Sequence, residues 1–312
     1  MDKSNILITG GLGFIGSWYV KLLAREGYYH VVIDKNTYAA DINRIKGNDY
    51  EDEIYIGNRL YIGDICDREL VENIIQKHDI NVIVNFAAET HVDRSIADSS
   101  EFIHSNILGV HVLLELVRKN DLKIVQISTD EVYGSITKGS FEENDRLNPG
   151  NPYSATKASA ELLTLSYHKT YGLPIVITRS SNNYGPWQFP EKFIPKMIQD
   201  AKQGKYLSVY GNGENIRDWL YVKDNCDAIM RVMEHGTSGE IYNIGGCNEM
   251  TNNQVAQIIS KKLNSPIVYV PDRPGHDMRY SIDCSKIQRE MGWKPITPFE
   301  DGIDKIIQAA MQ

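Results

Sequence analysis

The chain has 312 residues, 42% hydrophobic and 24% charged, an ordinary balance for a folded protein at a length that suits one large domain or two modest ones. Its formal net charge of -8 at pH 7 leaves no broad cationic surface, so neither nucleic acid nor an anionic membrane is expected as a partner. No apolar run approaches the roughly 18 residues of a bilayer span, and residues 1–8 run straight into a strand where a signal region would be basic and then apolar, so a cytoplasmic protein is expected.

In chain order, short apolar runs alternate with amphipathic patterns. Strands are predicted at residues 5–9, 30–34, 60–62, 82–86, 123–128 and 175–178, and helices at 14–26, 68–77, 102–119 and 154–171. This alternation implies right-handed crossovers and an α/β fold with a doubly wound, Rossmann-like parallel sheet. Beyond Arg179 the texture changes, with Pro186, Pro190 and Pro195 close together and shorter apolar segments afterwards. A smaller C-terminal α/β domain is expected there, so that residues 1–180 form a cofactor domain and 181–312 mainly a substrate domain. Two strand-like runs, 219–222 and 240–244, are expected to return to the first sheet, carrying 219–247 back across the boundary and interleaving the domains.

The four cysteines, Cys66, Cys226, Cys247 and Cys284, stand singly, without the paired spacing of a zinc site or the density of a disulfide framework. They are expected to be buried or inert thiols, and no metal is expected.

Gly10, Gly11, Gly13 and Gly16 follow the first strand at once and lead into the helix opening at Phe14. Glycines at such a turn let the backbone approach a pyrophosphate, which the positive end of the helix stabilises. A tight turn without a ligand gives the same residues, and the Gly10-x-x-Gly13-x-x-Gly16 spacing differs from the usual dinucleotide fingerprint. Asp34, which ends the second strand, adds specificity: its carboxylate can accept hydrogen bonds from an adenosine ribose and would repel a 2'-phosphate, favouring NAD over NADP. Lys35 weakens that inference, because a cation there tolerates the phosphate. Asp64, Ile65, Ala87 and Ala88 follow the third and fourth strands, at the carboxyl ends where ligands of open parallel sheets sit; packing accounts equally well for the two alanines.

Tyr153 and Lys157 open a helix at a spacing of four, which places phenol and ammonium on one face. A phenol with a reference pKa of about 10 is a poor base at neutral pH. A lysine or nicotinamide cation is expected to lower it, so that Tyr153 removes a hydroxyl proton while hydride leaves the same carbon. Just upstream, Ser128, Thr129, Asp130 and Glu131 end the fifth strand. The hydroxyl pair can hold a substrate hydroxyl, and two adjacent carboxyls can divide acid and base roles when their surroundings separate their pKa values. An exposed helix pair and a polar helix cap are the plain alternatives for the two motifs.

With these residues in place, the chain resembles the extended short-chain dehydrogenase/reductases, and among them the nucleotide-sugar 4,6-dehydratases. The resemblance covers residues 10–16, 34–39, 63–65, 87–95, 128–133, 153–157, 181–186, 190–192, 217–219 and 272–277. Thr90 stands where a serine is usual and Ala40 where a glycine is usual. The resemblance implies NAD as cofactor, held also by Phe14, Ile15 and Thr37, and an NDP-glucose as substrate, dTDP-glucose before UDP-glucose. It implies oxidation at C4 with Tyr153 as base, loss of water across C5 and C6 with Glu131 as base and Asp130 as acid, and return of hydride to C6. Substrate contacts fall by the same resemblance on His91, Asp93, Asn182, Glu191, Lys192, Arg217, Asn252, Arg273 and His276, the arginines as bidentate phosphate ligands. A homodimer is implied too, and helices 102–119 and 154–171 could pair across a twofold axis. A 4-epimerase or a decarboxylase of the same fold would keep Tyr153 and Lys157 but has no need of an acid and base to expel O6. A non-catalytic dinucleotide sensor could dispense with the Tyr153 and Lys157 pair.

Overall fold

The computed structural model describes residues 4–45, 59–272 and 277–311. Seven strands form a wholly parallel sheet: β1 (Ile6–Thr9), β2 (His30–Asp34), β3 (Leu60–Ile62), β4 (Val82–Asn85), β5 (Lys123–Thr129), β6 (Ile175–Ser180) and β10 (Ile241–Ile244), in the spatial order β10-β6-β5-β4-β1-β2-β3. The chain winds outward from β1 to β3 and then restarts on the other side at β4, so the crevice above β1 and β4 is a switch point open to ligand.

β1, β2 and β4 are buried along their whole length, as the near-continuous apolar runs of a doubly covered parallel sheet require. One face is covered by α1 (Phe14–Arg25), whose Tyr19, Val20 and Leu23 pack with Ile6, Ile8 and Val84. The other is covered by α2 (Arg68–Lys77) and by the helices around residues 100–120 and 152–171, through Val71, Ile74, Leu113 and Leu114. Truncating a fully buried Leu or Ile of these layers to Ala costs about 2–5 kcal/mol.

The helix predicted at 102–119 is longer and not uniform. After the short α3 (Val92–Ala97), α4 (Ser100–Ile103) runs into a π-helical turn at His104–Leu108 and then into α5 (Gly109–Asn120). The wider turn directs Ser105 and Asn106 inward, and both are buried. Asn106 accepts from the Glu89 amide at 2.9 Å and donates to the Glu89 carbonyl at 3.0 Å and to Thr156 Oγ1 at 2.9 Å. A wound helix that spends its regularity on a buried polar residue next to a cleft is the usual setting of such turns.

The helix predicted at 154–171 starts two residues earlier, as α6 (Pro152–Tyr171). Asn151 accepts from the Ser154 amide, Ser154 reaches back to the Asn151 amide, Pro152 fits the first turn, and Gly172 closes the helix at φ +69°.

The smaller part is built on β7 (Asn182–Tyr184), β9 (Ile216–Tyr221) and β11 (Glu249–Thr251), with a second pair, β8 (Leu207–Tyr210) and β12 (Ile267–Val270). Helices α7 (Phe193–Lys202), α9 (Asn252–Leu263) and α11 (Phe299–Met311) enclose its separate core, α10 (Ser285–Met291) lying instead beside β10. Here one expectation needs correction. Residues 219–221 belong to β9, which pairs with β7 and β11 and never joins the large sheet. Trp219 is the reason, since its ring packs among Tyr184, Phe193 and Phe299. Val222 begins a helix, α8 (Val222–His235), which does return to lie against α1, and β10 then pairs with β6.

Candidate active site

A cavity of about 310 Å³ opens along the carboxyl ends of β1, β2, β4 and β5 and extends to β7 and the segment before α7. At its floor lies the glycine turn. A Cβ on Gly10 would meet the Ala87 amide nitrogen at 2.7 Å, one on Gly16 would meet the Gly10 carbonyl oxygen at 2.3 Å, and Gly10 itself sits at φ +68°. Only glycine fits either place. The first turn of α1 follows Gly13, and no side chain caps it, so its outward amides are available to an anion.

Asp34 ends β2 at the cavity wall, its carboxylate fixed by the Leu12 amide at 2.9 Å and the Asn36 amide at 2.8 Å. Burial pushes its pKa up, while the two amides and Arg44 oppose the shift. Lys35 turns instead to Asp64, at 3.0 Å, and Glu101, at 3.3 Å. Phe14, Ile15, Thr37, Ile65, Ala87 and Ala88 complete this end of the lining. An uncapped helix start, a turn without side chains and a fixed carboxylate at the end of β2 fit a dinucleotide.

At the other end, β5 delivers Thr129 and the tight turn Asp130–Tyr133 that follows it, and α6 delivers Tyr153 and Lys157. Thr129, Asp130, Glu131, Tyr153 and Lys157 all line the same cavity. Lys157 donates to the Ile127 carbonyl at 2.6 Å, and Tyr153 shares a hydrogen bond with Thr129. Burial pulls the Lys157 ammonium down to about 8, with Glu161 opposing. Burial raises the Tyr153 phenol, and the Glu131 and Asp130 carboxyls raise it further. The expected lowering of that phenol is therefore not a property of the protein's own groups, since burial and the two carboxyls outweigh the Thr129 hydrogen bond that opposes them. Asp130 is raised well above the ordinary carboxyl range by burial, by Glu131 and by Asp218.

Four buried polar atoms of the lining have no hydrogen-bond partner among the described residues: Ser128 Oγ, Asp130 Oδ2, Asn182 Oδ1 and Gln188 Oε1. Leaving such groups unpaired costs about 1–3 kcal/mol each. Four of them converging on one cavity mark it as a place where another molecule completes the hydrogen bonding.

The family described as GDP-mannose 4,6 dehydratase matches residues 7–306. The chain belongs to this family. A low-salt glycan biosynthesis protein of Haloferax volcanii is 47% identical over 97% of both chains. The crystal structure of dTDP-glucose 4,6-dehydratase from Bacillus anthracis in complex with NAD superimposes with a TM-score of 0.90, at 45% identity over 99% of this chain and 96% of that one. The dTDP-glucose 4,6-dehydratase DesIV from Streptomyces venezuelae, with NAD and TYD bound, gives a TM-score of 0.93 at 40% identity, covering 98% of this chain and 97% of that one.

Within this 4,6-dehydratase family member the sugar-contact residues named from sequence do not all gather. Asn182 and Lys192 line the cavity, Lys192 also donating to the Thr90 carbonyl at 3.2 Å. His91 and Glu191 pair with each other at 3.0 Å, beside Arg94, and burial together with Lys192 lowers the His91 pKa. Asp93 is exposed in the first turn of α3. Arg217 lies off the lining, although its charge opposes the rise of Asp130. It donates to the carbonyls of Ile216, at 2.7 Å, and Asp277, at 2.8 Å, and lies 4.4 Å from the Tyr280 ring. Asn252 is the buried first residue of α9 and also stands off the lining. Arg273 and His276 lie outside the described residues.

Sequence reasoning missed Glu89, Ser105 and Gln188, which line the cavity, and Asp218, whose charge acts on Asp130. Ser105 depends on a π turn that no spacing announces, and Gln188 on an irregular segment without periodicity. Asp218 carried a signal, a lone carboxylate in an apolar strand, which a closer look at β9 could have used.

Proposed function

We propose that the protein is an NAD-dependent lyase that converts an NDP-glucose, dTDP-glucose before UDP-glucose, into the NDP-4-keto-6-deoxyglucose and water. The observation that carries this reading is the buried Asp130, its Oδ2 unpartnered, next to Glu131 on one short turn and in one cavity with Tyr153 and Lys157. Bound NAD supplies the hydride acceptor for C4 and later, in the same turnover, the hydride that C6 receives. Tyr153 takes the O4 proton as C4 is oxidised, and the Lys157 ammonium stabilises the phenolate that does so. Thr129, hydrogen-bonded to Tyr153, positions the hydroxyl. The C4 ketone acidifies the C5 hydrogen, which Glu131 removes. Asp130, kept protonated by its surroundings, passes its proton to the departing C6 hydroxyl. No second redox substrate enters, because the cofactor is restored within each cycle.

An epimerase or decarboxylase would use Tyr153 and Lys157 alone, and the adjacent carboxyls Asp130 and Glu131 favour dehydration over both. Asn182 and Lys192 are the substrate contacts best supported by their place in the lining. The reading includes residues 181–312 as the main sugar-binding part, a cytoplasmic site of action, and a homodimer built on α4 to α6. Ile103, Leu108 and Leu162 on those helices are 51%, 45% and 61% exposed, apolar area that a twofold partner would cover. Among the described residues no helix is long and apolar enough to cross a membrane.

The test is incubation of the purified protein with dTDP-glucose and with UDP-glucose separately, followed by mass spectrometry. Loss of one water from the sugar nucleotide, larger with dTDP-glucose, is the expected result. A C4 epimer of unchanged mass, or no conversion of either donor, overturns the assignment.

A further inference from the structure

Beyond Ile244 the chain passes through Gly245, Gly246 and Cys247 before reaching β11. This passage is pressed against β9. A Cβ on Gly246 would meet the Trp219 carbonyl oxygen at 1.9 Å, and one on Gly245 would meet Asp218 Oδ2 at 2.7 Å and Cys284 Sγ at 2.8 Å. Cys247 follows at φ +50°, a left-handed backbone that non-glycine residues rarely adopt and that the packing of the two glycines imposes. It is the one exposed cysteine of the four. Cys284, at the start of α10, is buried, accepts from the Gly245 amide at 2.9 Å, and shares a thiol hydrogen bond with Cys247.

We propose that Cys247 and Cys284 form an oxidisable dithiol, in which exposed Cys247 reacts with hydrogen peroxide and buried Cys284 resolves the product to a disulfide. The Cys247 thiolate attacks one peroxide oxygen, giving the sulfenic acid and releasing hydroxide. Cys284 sulfur then attacks the Cys247 sulfur; the S–O bond breaks, the Cys284 proton leaves with the hydroxyl as water, and the S–S bond forms. Two thiols are oxidised by two electrons and one peroxide is reduced to two waters. The hydrogen bond from Cys284 lowers the Cys247 thiol, the direction that favours it as the first nucleophile, whereas burial pushes Cys66 up to about 12 and Cys226 higher still. Those two thiols are internal controls.

The pair has a route to the chemistry. Asp218 accepts from the amides of Gly246 and Asn248, both at 2.7 Å, the residues on either side of Cys247, and its charge raises Asp130. Drawing Cys247 onto Cys284 would move the amides that fix Asp218.

The experiment exposes the full-length protein to hydrogen peroxide, alkylates the remaining thiols and maps the peptides. The expected result is a loss of about 2 Da carried by a Cys247–Cys284 cross-link, reversed by dithiothreitol, with Cys66 and Cys226 alkylated in full. Cys284→Ser should leave a Cys247 sulfenic acid that dimedone captures, and Cys247→Ser should give neither product. No cross-link, or oxidation of Cys66 or Cys226 at the same rate, overturns the inference, and the unsubstituted chain decides this even where a variant fails to fold. A turnover arm rests on the proposed dehydratase reading. Peroxide should slow the parent and spare Cys247→Ser; a protein with no turnover before treatment refutes that reading and leaves the peptide map to judge the dithiol.

Discussion

Tyr153 and Lys157 respond in opposite directions to one physical cause. Burial penalises charge, so it raises the phenol and lowers the ammonium to about 8, and each needs a counter-charge to ionise. The consequence for Lys157 is a titration: as pH rises through about 8 the ammonium loses its proton, the phenolate loses its stabiliser, and C4 oxidation should slow, a limb that a pH–rate profile measures. Tyr153→Phe should cut that step about 10²–10⁴-fold while NAD binding, followed by fluorescence quenching, stays close to the parent. Asp130 has the reverse sign. A carboxyl whose folded pKa is raised contributes stability in full below its unfolded pKa and loses it as pH rises through the folded value, so holding Asp130 protonated at neutral pH costs stability. Asp130→Asn should therefore melt no lower than the parent at pH 7 and still oxidise C4, yet fail to release water, as calorimetry and mass spectrometry would report. Glu161 and Arg179, 0% and 2% exposed and bonded at 2.9 Å from Nε, make the opposite case of a pair whose rupture strands a buried charge. Glu161→Gln should cost about 3–5 kcal/mol in urea unfolding.

Elements are placed by their ends as much as by their periodicity. The repeat of apolar residues located α6 within two residues, but its start follows from Asn151, Pro152 and Ser154, a cap whose meaning lies in side-chain to backbone bonds. The π turn at His104–Leu108 has no counterpart in the hydrophobic pattern, because the residues it buries, Ser105 and Asn106, are polar, and Asn106 is held by Glu89 and Thr156 from distant elements. The same helices carry the exposed Leu162, and Leu162→Asp should shift a dimer to monomer in light scattering without unfolding it.

Across the whole molecule, short-range chemistry fixed what could be read in advance. The alternation of strands and helices, the glycine turn under steric contact with Ala87, and the Thr129–Asp130–Glu131 and Tyr153–Lys157 groups are each encoded within about one turn or one strand end, where neighbours in sequence are neighbours in space. Tertiary structure decided the rest. Whether β9 joined the large sheet or the small one depended on which core took the Trp219 ring, and Arg217 spends its fork on carbonyls sixty residues away. The acid character of Asp130 rests first on burial, with Asp218 from another strand adding to the neighbouring Glu131. Such outcomes depend on contacts between segments far apart in the chain, and a local pattern carries no record of which distant partner will arrive.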